Sequence, residues 1–167
     1  MRTVRSALRD RPDRADPNVR DDVAAALRTV DDPEYPGISI VELGLVEDVR
    51  VLDGGRVEVD LVPTFSGCPA LAFIAGDVER AVGALDAVAD VGVAFVASPA
   101  WTPARIAPSA RERIGADFGV AVQLGPAPPA CPRCGARALV EESLFGPVRC
   151  RSVHRCQACG EIVETIR

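Results

Sequence analysis

The sequence predicts an α/β protein: a small sandwich of order α-β-β-α-β-α with one mixed sheet, followed by a cysteine-rich hairpin. Three observations predict this class. Apolar and acidic residues alternate at period two over residues 56–62, as in a half-buried strand. Apolar residues then recur at three- and four-residue spacing over residues 71–85, as on one face of a helix. Two CxxCG motifs, beginning at Cys131 and Cys156, mark a separate small unit near the C-terminus.

The N-terminal half supplies one helix, a loop and a hairpin. Residues 18–30 place valines and leucine on one helical face, and the helix should stop before Pro33, because a residue that precedes proline avoids the helical region. Residues 31–40 hold two prolines and a glycine, which predict a stiff, extended loop. Residues 44–52 alternate as a strand, and the hairpin signal Asp53-Gly54-Gly55 joins it to the strand at 56–62.

A strand–helix–strand unit and a linker complete the chain before the cysteine motifs. Residues 89–97 predict a third strand, which a right-handed crossover would make parallel to the strand before the helix. Residues 104–114 predict a short helix, with Pro108 in its first turn or as a break. The predicted domains are a disordered leader at 1–17, the α/β domain at 18–122, a proline-rich linker at 123–130 and the hairpin unit at 131–167.

Composition and charge exclude several functional classes. The 167-residue chain has a net charge of -5, which argues against nucleic acid as a partner. All 19 basic residues are arginine, so a Schiff-base lysine and a P-loop are excluded. No apolar run approaches the ~20 residues of a membrane span, and the N-terminus lacks the apolar region of a secretory signal. We therefore expect a cytoplasmic protein without a membrane partner.

One cysteine, Cys68, lies in the turn Thr64-Phe65-Ser66-Gly67-Cys68-Pro69, where the second strand gives way to the helix. Pro69 suits the first helical turn, and a thiol at that position faces free N–H groups and the positive end of the helix dipole. Both favour the thiolate, so Cys68 is a candidate functional residue, and Thr64 adds a hydroxyl to the same turn. The alternative is a structural cysteine buried at a tight turn.

Two carboxylates precede this turn in the sequence, on the proline-rich loop. Asp32 and Glu34 flank Pro33, while apolar residues farther along the loop can anchor it on the core. Neighbouring carboxylates of this kind can bind a metal, raise one another's pKa, or hold backbone N–H groups in turns. The loop alone favours the turn role.

The spacing of four cysteines predicts a metal site in the C-terminal unit. Cys131 with Cys134, and Cys156 with Cys159, form two CxxCG knuckles separated by 21 residues. Two such knuckles supply four thiolates to a tetrahedral ion. Such a site has no open coordination position, so its role is structural. The unit is therefore predicted to be a zinc-ribbon hairpin, with a rubredoxin-like iron centre and a dithiol redox pair as alternatives.

Two further residues of the ribbon have an undecided role. Cys150 lies between Arg149 and Arg151, which would favour its thiolate if the side chain is exposed, but an inert role in the ribbon is favoured over a functional one. His154, the single histidine, is expected to pack or lie at the surface and not to bind the metal.

Two separated motifs resemble those of a known family. The segment Asp32-Pro33-Glu34-Tyr35-Pro36, followed by Ser39-Ile40-Val41-Glu42-Leu43-Gly44-Leu45-Val46, and the turn at Cys68 resemble the metal–sulfur cluster assembly (SufT-like) domain. The sequence Pro-Ala-Trp-Thr at residues 99–102 and the cysteine ribbon are similar to one branch, the D subunits of bacterial phenylacetyl-CoA epoxidases. Pro147, Arg151 and the last residues depart from that branch.

The resemblance implies an accessory role and not catalysis by this chain alone. Such a protein would assist iron or iron–sulfur maturation of an oxygenase subunit or another metalloprotein in phenylacetate degradation. It implies a transient iron or cluster site at Cys68, with Asp32, Glu34 and Thr64 beside it. The alternatives are a general iron–sulfur targeting factor and a thiol enzyme that uses Cys68 as nucleophile, and a homodimer is left open.

Overall fold

The computed structural model describes residues 17–167 and confirms the α/β class. The predicted disordered leader lies outside the described residues, apart from Pro17, with which the first helix begins. Three helices and nine strands follow in chain order: α1 (Pro17–Leu27), β1 (Asp31–Asp32), β2 (Tyr35–Ser39), β3 (Val46–Leu52), β4 (Arg56–Leu61), α2 (Leu71–Gly83), β5 (Asp90–Phe95), α3 (Pro108–Phe118), β6 (Ala121–Val122), β7 (Leu139–Ser143), β8 (Arg151–Cys156) and β9 (Ile162–Ile166).

The central sheet of the N-terminal body is mixed, as predicted. Its order is β3-β4-β5, with β3 antiparallel and β5 parallel to β4. The hairpin turn uses Gly54 and Gly55, at φ +77° and +76°, a conformation that glycine adopts without steric cost. The parallel pairing shows that α2 is the crossover helix of a β-α-β unit, which fixes the turn at Cys68 between β4 and α2.

Several boundaries differ from those predicted. Helix α1 ends at Leu27, and residues 31–39 form the short antiparallel pair β1–β2 where an extended loop was predicted. Two side-chain carboxylates support the pair: Asp32 accepts the N–H of Glu34 in the turn, and Asp31 accepts the N–H of Gly37 on β2. The predicted helix at 104–114 is a 3-10 turn, Pro103–Arg105, followed by α3, so Pro108 opens a helix and does not break one.

The body and the ribbon share a sheet. Its order is β6-β9-β8-β7, so β6, which closes the body, pairs in parallel with β9, the last strand of the ribbon. Ile166 on β9 is 5% exposed and packs in the core of the body, while Ala121 on β6 packs with the buried ribbon residues around Cys131. The C-terminal unit is therefore fixed to the body on both sides of the linker.

Two hydrophobic clusters carry the packing of the two parts. The larger cluster joins all three helices to the central sheet through fully buried residues such as Leu27, Ile74 and Ile114. The smaller cluster surrounds the cysteine knuckles. Within residues 17–167, no helix has the length and apolar character needed to cross a membrane.

Candidate metal sites

The four knuckle cysteines converge at one end of the ribbon. Their sulfur atoms all lie within 4.8 Å of one another, and the Cys131–Cys159 and Cys134–Cys156 pairs are 3.9 and 3.6 Å apart. A tetrahedral ion with metal–sulfur bonds of about 2.3 Å needs sulfur–sulfur edges of about 3.8 Å. The donor set therefore fits one tetrahedral metal ion, with shifts of at most about 1 Å where two sulfurs lie farther apart.

Backbone geometry holds both knuckles in this arrangement. Gly135 and Gly160 follow the second cysteine of each knuckle at φ +77° and +80°. Each donates its N–H at 2.8 Å to the carbonyl of the first cysteine, Cys131 or Cys156. Hydrogen bonds from the backbone of Cys159 and then Ala158 lower the pKa of the Cys156 thiol to about 7, which favours the thiolate that a metal binds.

The second candidate site is built around the turn that carries Cys68. This side chain is half-buried, and its backbone N–H donates to the carbonyl of Phe65 at 3.1 Å. Helix α2 begins at Leu71 with Ala70 as its N-cap, so Pro69 precedes the helix and does not lie in its first turn as predicted. The turn nonetheless keeps the sulfur at a bend of the chain and partly open to solvent.

The two carboxylates Asp32, on β1, and Glu34, in the turn after it, differ in their exposure to solvent. Asp32 is 9% exposed, and its Oδ1 accepts the N–H of Glu34 at 2.8 Å, the turn role that its loop favoured. Burial raises the pKa of Asp32 above its usual value. Glu34 is about a quarter exposed, and its Oε2 accepts a hydrogen bond from Arg151 at 3.0 Å.

A small cavity brings most of the predicted site together. Asp32, Glu34 and Thr64 line it, and Cys150 of the ribbon lines it too. Cys68 lies close enough for its charge to contribute to the pKa of Cys150. Among residues 17–167, only the four knuckle cysteines bring three or more donor side chains into mutual contact. The cavity therefore offers ligands that are close together but not assembled into a complete metal site.

Cys150 has an environment that its sequence neighbours did not predict. Its Sγ lies 3.8 Å from Glu34 Oε2. Burial, and then the charge of Glu34, raise the pKa of Cys150 to about 11, and the charge of Arg151 offsets this only in part. The flanking arginines would favour the thiolate only at an exposed position, and this thiol is half-buried.

Arg151 joins the ribbon to the candidate site. Its guanidinium bonds Glu34 at 3.0 Å and Glu164 at 3.1 Å, and its Cζ lies 4.8 Å from the centre of the Tyr35 ring. The Arg151 side chain is 12% exposed, but those of Glu34 and Glu164 are 27% and 32% exposed, so the network is only partly shielded from water. Sequence reasoning treated Arg151 as a neighbour of Cys150 and as a departure from the epoxidase branch. It assigned no contact to Glu34 or Tyr35, because they are more than a hundred residues away.

The segment at residues 101–105 packs on the motif at residues 39–46, next to the cavity. Trp101 Nε1 donates to the carbonyl of Leu43 at 2.9 Å, and Arg105 Nε donates to the carbonyl of Gly44 at 2.7 Å. Gly44 has φ +68°, and a Cβ there would lie 2.5 Å from the carbonyl oxygen of Arg105. The glycine is therefore required by this close approach, which brings Trp101 to the wall of the cavity.

Comparison with known proteins covers both parts of the chain. Residues 20–95 match the family described as "Iron-sulfur cluster assembly protein", and residues 119–167 match the "PaaD zinc beta ribbon domain". A protein of Escherichia coli K12, named as the putative D subunit of 1,2-phenylacetyl-CoA epoxidase, is 33% identical over 154 residues, which cover 88% of this chain and 91% of that protein. The chain belongs to the iron-sulfur cluster assembly protein family. Its ribbon is the one described for PaaD, so the family resemblance is confirmed in both parts.

Two further relatives resemble the body alone. The "Fe-S protein maturation auxiliary factor YitW" of Bacillus subtilis is 34% identical over 97 residues, which cover 58% of this chain and 94% of that protein. A crystal structure of a DUF59 domain from Bacillus anthracis has a TM-score of 0.55 at 30% identity and covers 59% of this chain and 92% of its own. Members of the family can thus consist of little more than the body.

Proposed function

We propose that this chain is an accessory factor for iron–sulfur maturation that serves the metal-containing subunits of a multicomponent phenylacetyl-CoA epoxidase. Two of its relatives support this proposal by name: one is called an epoxidase subunit, and the other a maturation auxiliary factor. The chain itself adds a cavity between body and ribbon, lined by Asp32, Glu34 and Thr64. The half-buried Cys68 belongs to the turn that follows Thr64 but does not line the cavity. That juxtaposition is the observation that carries the proposal.

The ribbon would hold one structural zinc ion. The four thiolates of Cys131, Cys134, Cys156 and Cys159 fit a tetrahedral ion and leave no coordination position for a substrate. Zinc would supply folding energy, since a four-thiolate ribbon rarely keeps its shape without metal. Metal analysis of the purified protein separates this proposal from a rubredoxin-like iron centre, whose iron would be visible by its colour.

The second site suits transfer of iron better than storage. Cys68, Asp32, Glu34 and Thr64 offer one thiolate, two carboxylates and a hydroxyl, and the structure does not assemble them into a complete shell. An incomplete shell binds an ion weakly and leaves positions that a client's ligands can occupy. Iron is therefore the cargo of this site and not a resident cofactor.

Cys68 is not proposed as an enzyme nucleophile. Such a thiol needs a neighbouring base, and the single histidine, His154, lines a different cavity with Ser152 and Thr165. No side chain in the described residues is hydrogen-bonded to Cys68 in the manner of a catalytic pair.

The test is complementation of a strain that lacks this gene. The wild-type chain should restore both the iron content and the activity of the epoxidase, and Cys68→Ser should restore neither while keeping its zinc and its fold. Ser66→Ala, an exposed change in the same turn, is the matched control and should behave as wild type. Full restoration by Cys68→Ser would contradict the proposal.

The same strain separates a dedicated factor from a general one. An unrelated iron–sulfur dehydratase should keep its activity in the deletion strain if this chain serves the epoxidase alone. A parallel loss of that activity would instead support the general targeting factor.

A further inference from the structure

A larger cavity lies between the predicted linker, residues 123–130, and one face of the ribbon sheet. It measures about 280 Å³, slightly less than the roughly 300–1,000 Å³ of sites for drug-sized ligands. Pro126, Pro128 and Pro129 of the linker form one wall, and side chains of β7, β8 and β9 form the floor. Among residues 17–167, this cavity shares no lining residue with the one beside Glu34. It is therefore a separate candidate for a binding site.

The floor of this cavity contains a buried hydroxyl without a partner. Thr165 on β9 lines the cavity and is 0% exposed, yet within residues 17–167 its Oγ1 has no hydrogen-bond partner. Ser152, which lies opposite Thr165 on β8, donates its hydroxyl to the Thr165 carbonyl at 3.3 Å and not to the Thr165 hydroxyl. A buried hydroxyl of this kind costs free energy, which native structures normally recover through a bound ligand or ordered water. The cavity is far larger than one water molecule needs, so we expect it to receive a polar ligand.

Two charged side chains at the cavity restrict the charge of that ligand. Arg167 lines it, and in the part of the chain that the structure describes its guanidinium makes one hydrogen bond, to the carbonyl of Leu144 at 2.8 Å. Glu141 also lines the cavity and is exposed. One guanidinium beside one carboxylate leaves no excess positive charge, which disfavours a multiply charged anion such as phosphate. A single carboxylate, which can accept two N–H groups of a guanidinium at once, fits this balance.

The rest of the lining is mostly apolar. The three prolines of the linker face Leu139 of β7, and both Pro129 and Leu139 are buried. The amide nitrogen of Gln123 donates to the carbonyls of Gly125 and Ala127 and so holds the linker in its turn. Proline rings have a fixed φ, so this wall is largely formed before a ligand arrives. An apolar wall with a few polar groups is typical of sites for small organic molecules.

We propose that this cavity binds a small organic monocarboxylate with an apolar body. The guanidinium of Arg167 and the hydroxyl of Thr165 donate to the carboxylate, and the apolar body packs against Leu139 and the linker prolines. Such a ligand contacts the linker and the ribbon sheet together. The site goes beyond the proposed iron-transfer function and does not depend on it.

The experiment is a calorimetric titration of the full-length, zinc-loaded protein with benzoate, which combines one carboxylate with an apolar ring. We expect a Kd below about 1 mM for the wild type. Benzamide has nearly the same shape without the charge and should bind at least about tenfold more weakly. Acetate lacks the ring and should show a similar loss, because it buries less apolar surface. Equal binding of benzamide, or tighter binding of inorganic phosphate, would overturn the assignment of a carboxylate ligand.

Two substitutions test the two donors. Thr165→Val keeps the shape of the side chain and removes a hydroxyl that has no partner within residues 17–167. It should therefore fold without loss of stability, yet bind benzoate about tenfold more weakly. Arg167→Gln changes an exposed side chain, so folding is not at risk, and should weaken benzoate binding at least as much.

The control variant is Arg149→Gln, which changes an exposed arginine of the ribbon that does not line the cavity. It should bind benzoate as the wild type does. Undetectable benzoate binding by the wild type, or wild-type affinity in both Thr165→Val and Arg167→Gln, would refute the site. Either result would leave the proposed iron-transfer function standing, because its residues do not line this cavity.

Discussion

Replacing Ile166 by alanine tests whether body and ribbon fold as one unit. The side chain is 5% exposed and, although it belongs to β9 of the ribbon, it packs in the core of the body. Alanine removes three carbon atoms, worth about 0.8 kcal/mol each, and the cavity left behind adds to that cost. We expect a loss of about 3 kcal/mol in the free energy of unfolding.

Two probes follow the two parts of the chain during urea unfolding. Helical circular dichroism reports the body, because all three helices belong to it, and zinc release to a coloured chelator reports the ribbon. With a urea m-value of about 2 kcal/mol/M, the loss should lower both midpoints by roughly 1.5 M. Ile162→Ala, on the same strand but 47% exposed, is the matched control and should cost less than about 1 kcal/mol. If Ile166→Ala advanced zinc release but left the helical transition unchanged, the claim of a single folding unit would be refuted.

Three other predictions concern the contacts around the two sites. Arg151→Met should lower the free energy of unfolding by about 2 kcal/mol, because it removes charged hydrogen bonds to Glu34 and Glu164 that are only partly shielded from water. Urea titrations measure this loss, and an unchanged midpoint would show that these pairs contribute nothing to stability. Hydrogen bonds from the backbone and side chain of Ser39 lower the pKa of Glu42 below its usual 4.5. The folded state therefore binds fewer protons, and this stabilisation is present above pH 4.5 and lost as the pH falls below it; Glu42→Gln should flatten that acid-side decline in thermal melts, and an unaltered profile would contradict the assignment. Cys134→Ser should weaken zinc binding and also lower the melting temperature of the helical signal, since the ribbon is fixed to the body; a normal helical melt in the zinc-free variant would contradict this.

The fold was predictable wherever local periodicity reports burial. The alternation in β4 and the helical spacing in α2 predicted the β-α-β unit and its parallel pairing, and both are confirmed. The pair β1–β2 was not predicted, because it is supported by backbone N–H groups donating to the Asp31 and Asp32 carboxylates and not by an apolar pattern. Strand β6 has only two residues and exists because β9 lies beside it, a long-range pairing that no local pattern reveals.

The two candidate sites also differ in whether a local sequence pattern could predict them. The knuckle cysteines are close in sequence within each pair, so their spacing predicted one cluster, and the structure brings the four sulfurs together. The cavity site is assembled from segments far apart in the chain, and sequence alone left Cys150 without a role. Its proximity to Glu34 and the contact of Arg151 with Tyr35 arise only from docking of the ribbon on the body. No local sequence pattern could have shown that Cys150 and Arg151 contact the segment at residues 32–35.

The most direct test of the account is to follow iron from this chain to its client. The zinc-loaded protein, charged with one equivalent of isotopically labelled ferrous iron, is mixed without oxygen with the iron-free oxygenase subunit, and the two are separated and analysed for the label. The account predicts that the label moves to the oxygenase subunit from the wild-type chain faster than from free iron at the same concentration, and that Cys68→Ser abolishes this advantage. Equal rates from the wild type, Cys68→Ser and free iron would contradict a transfer role for this site.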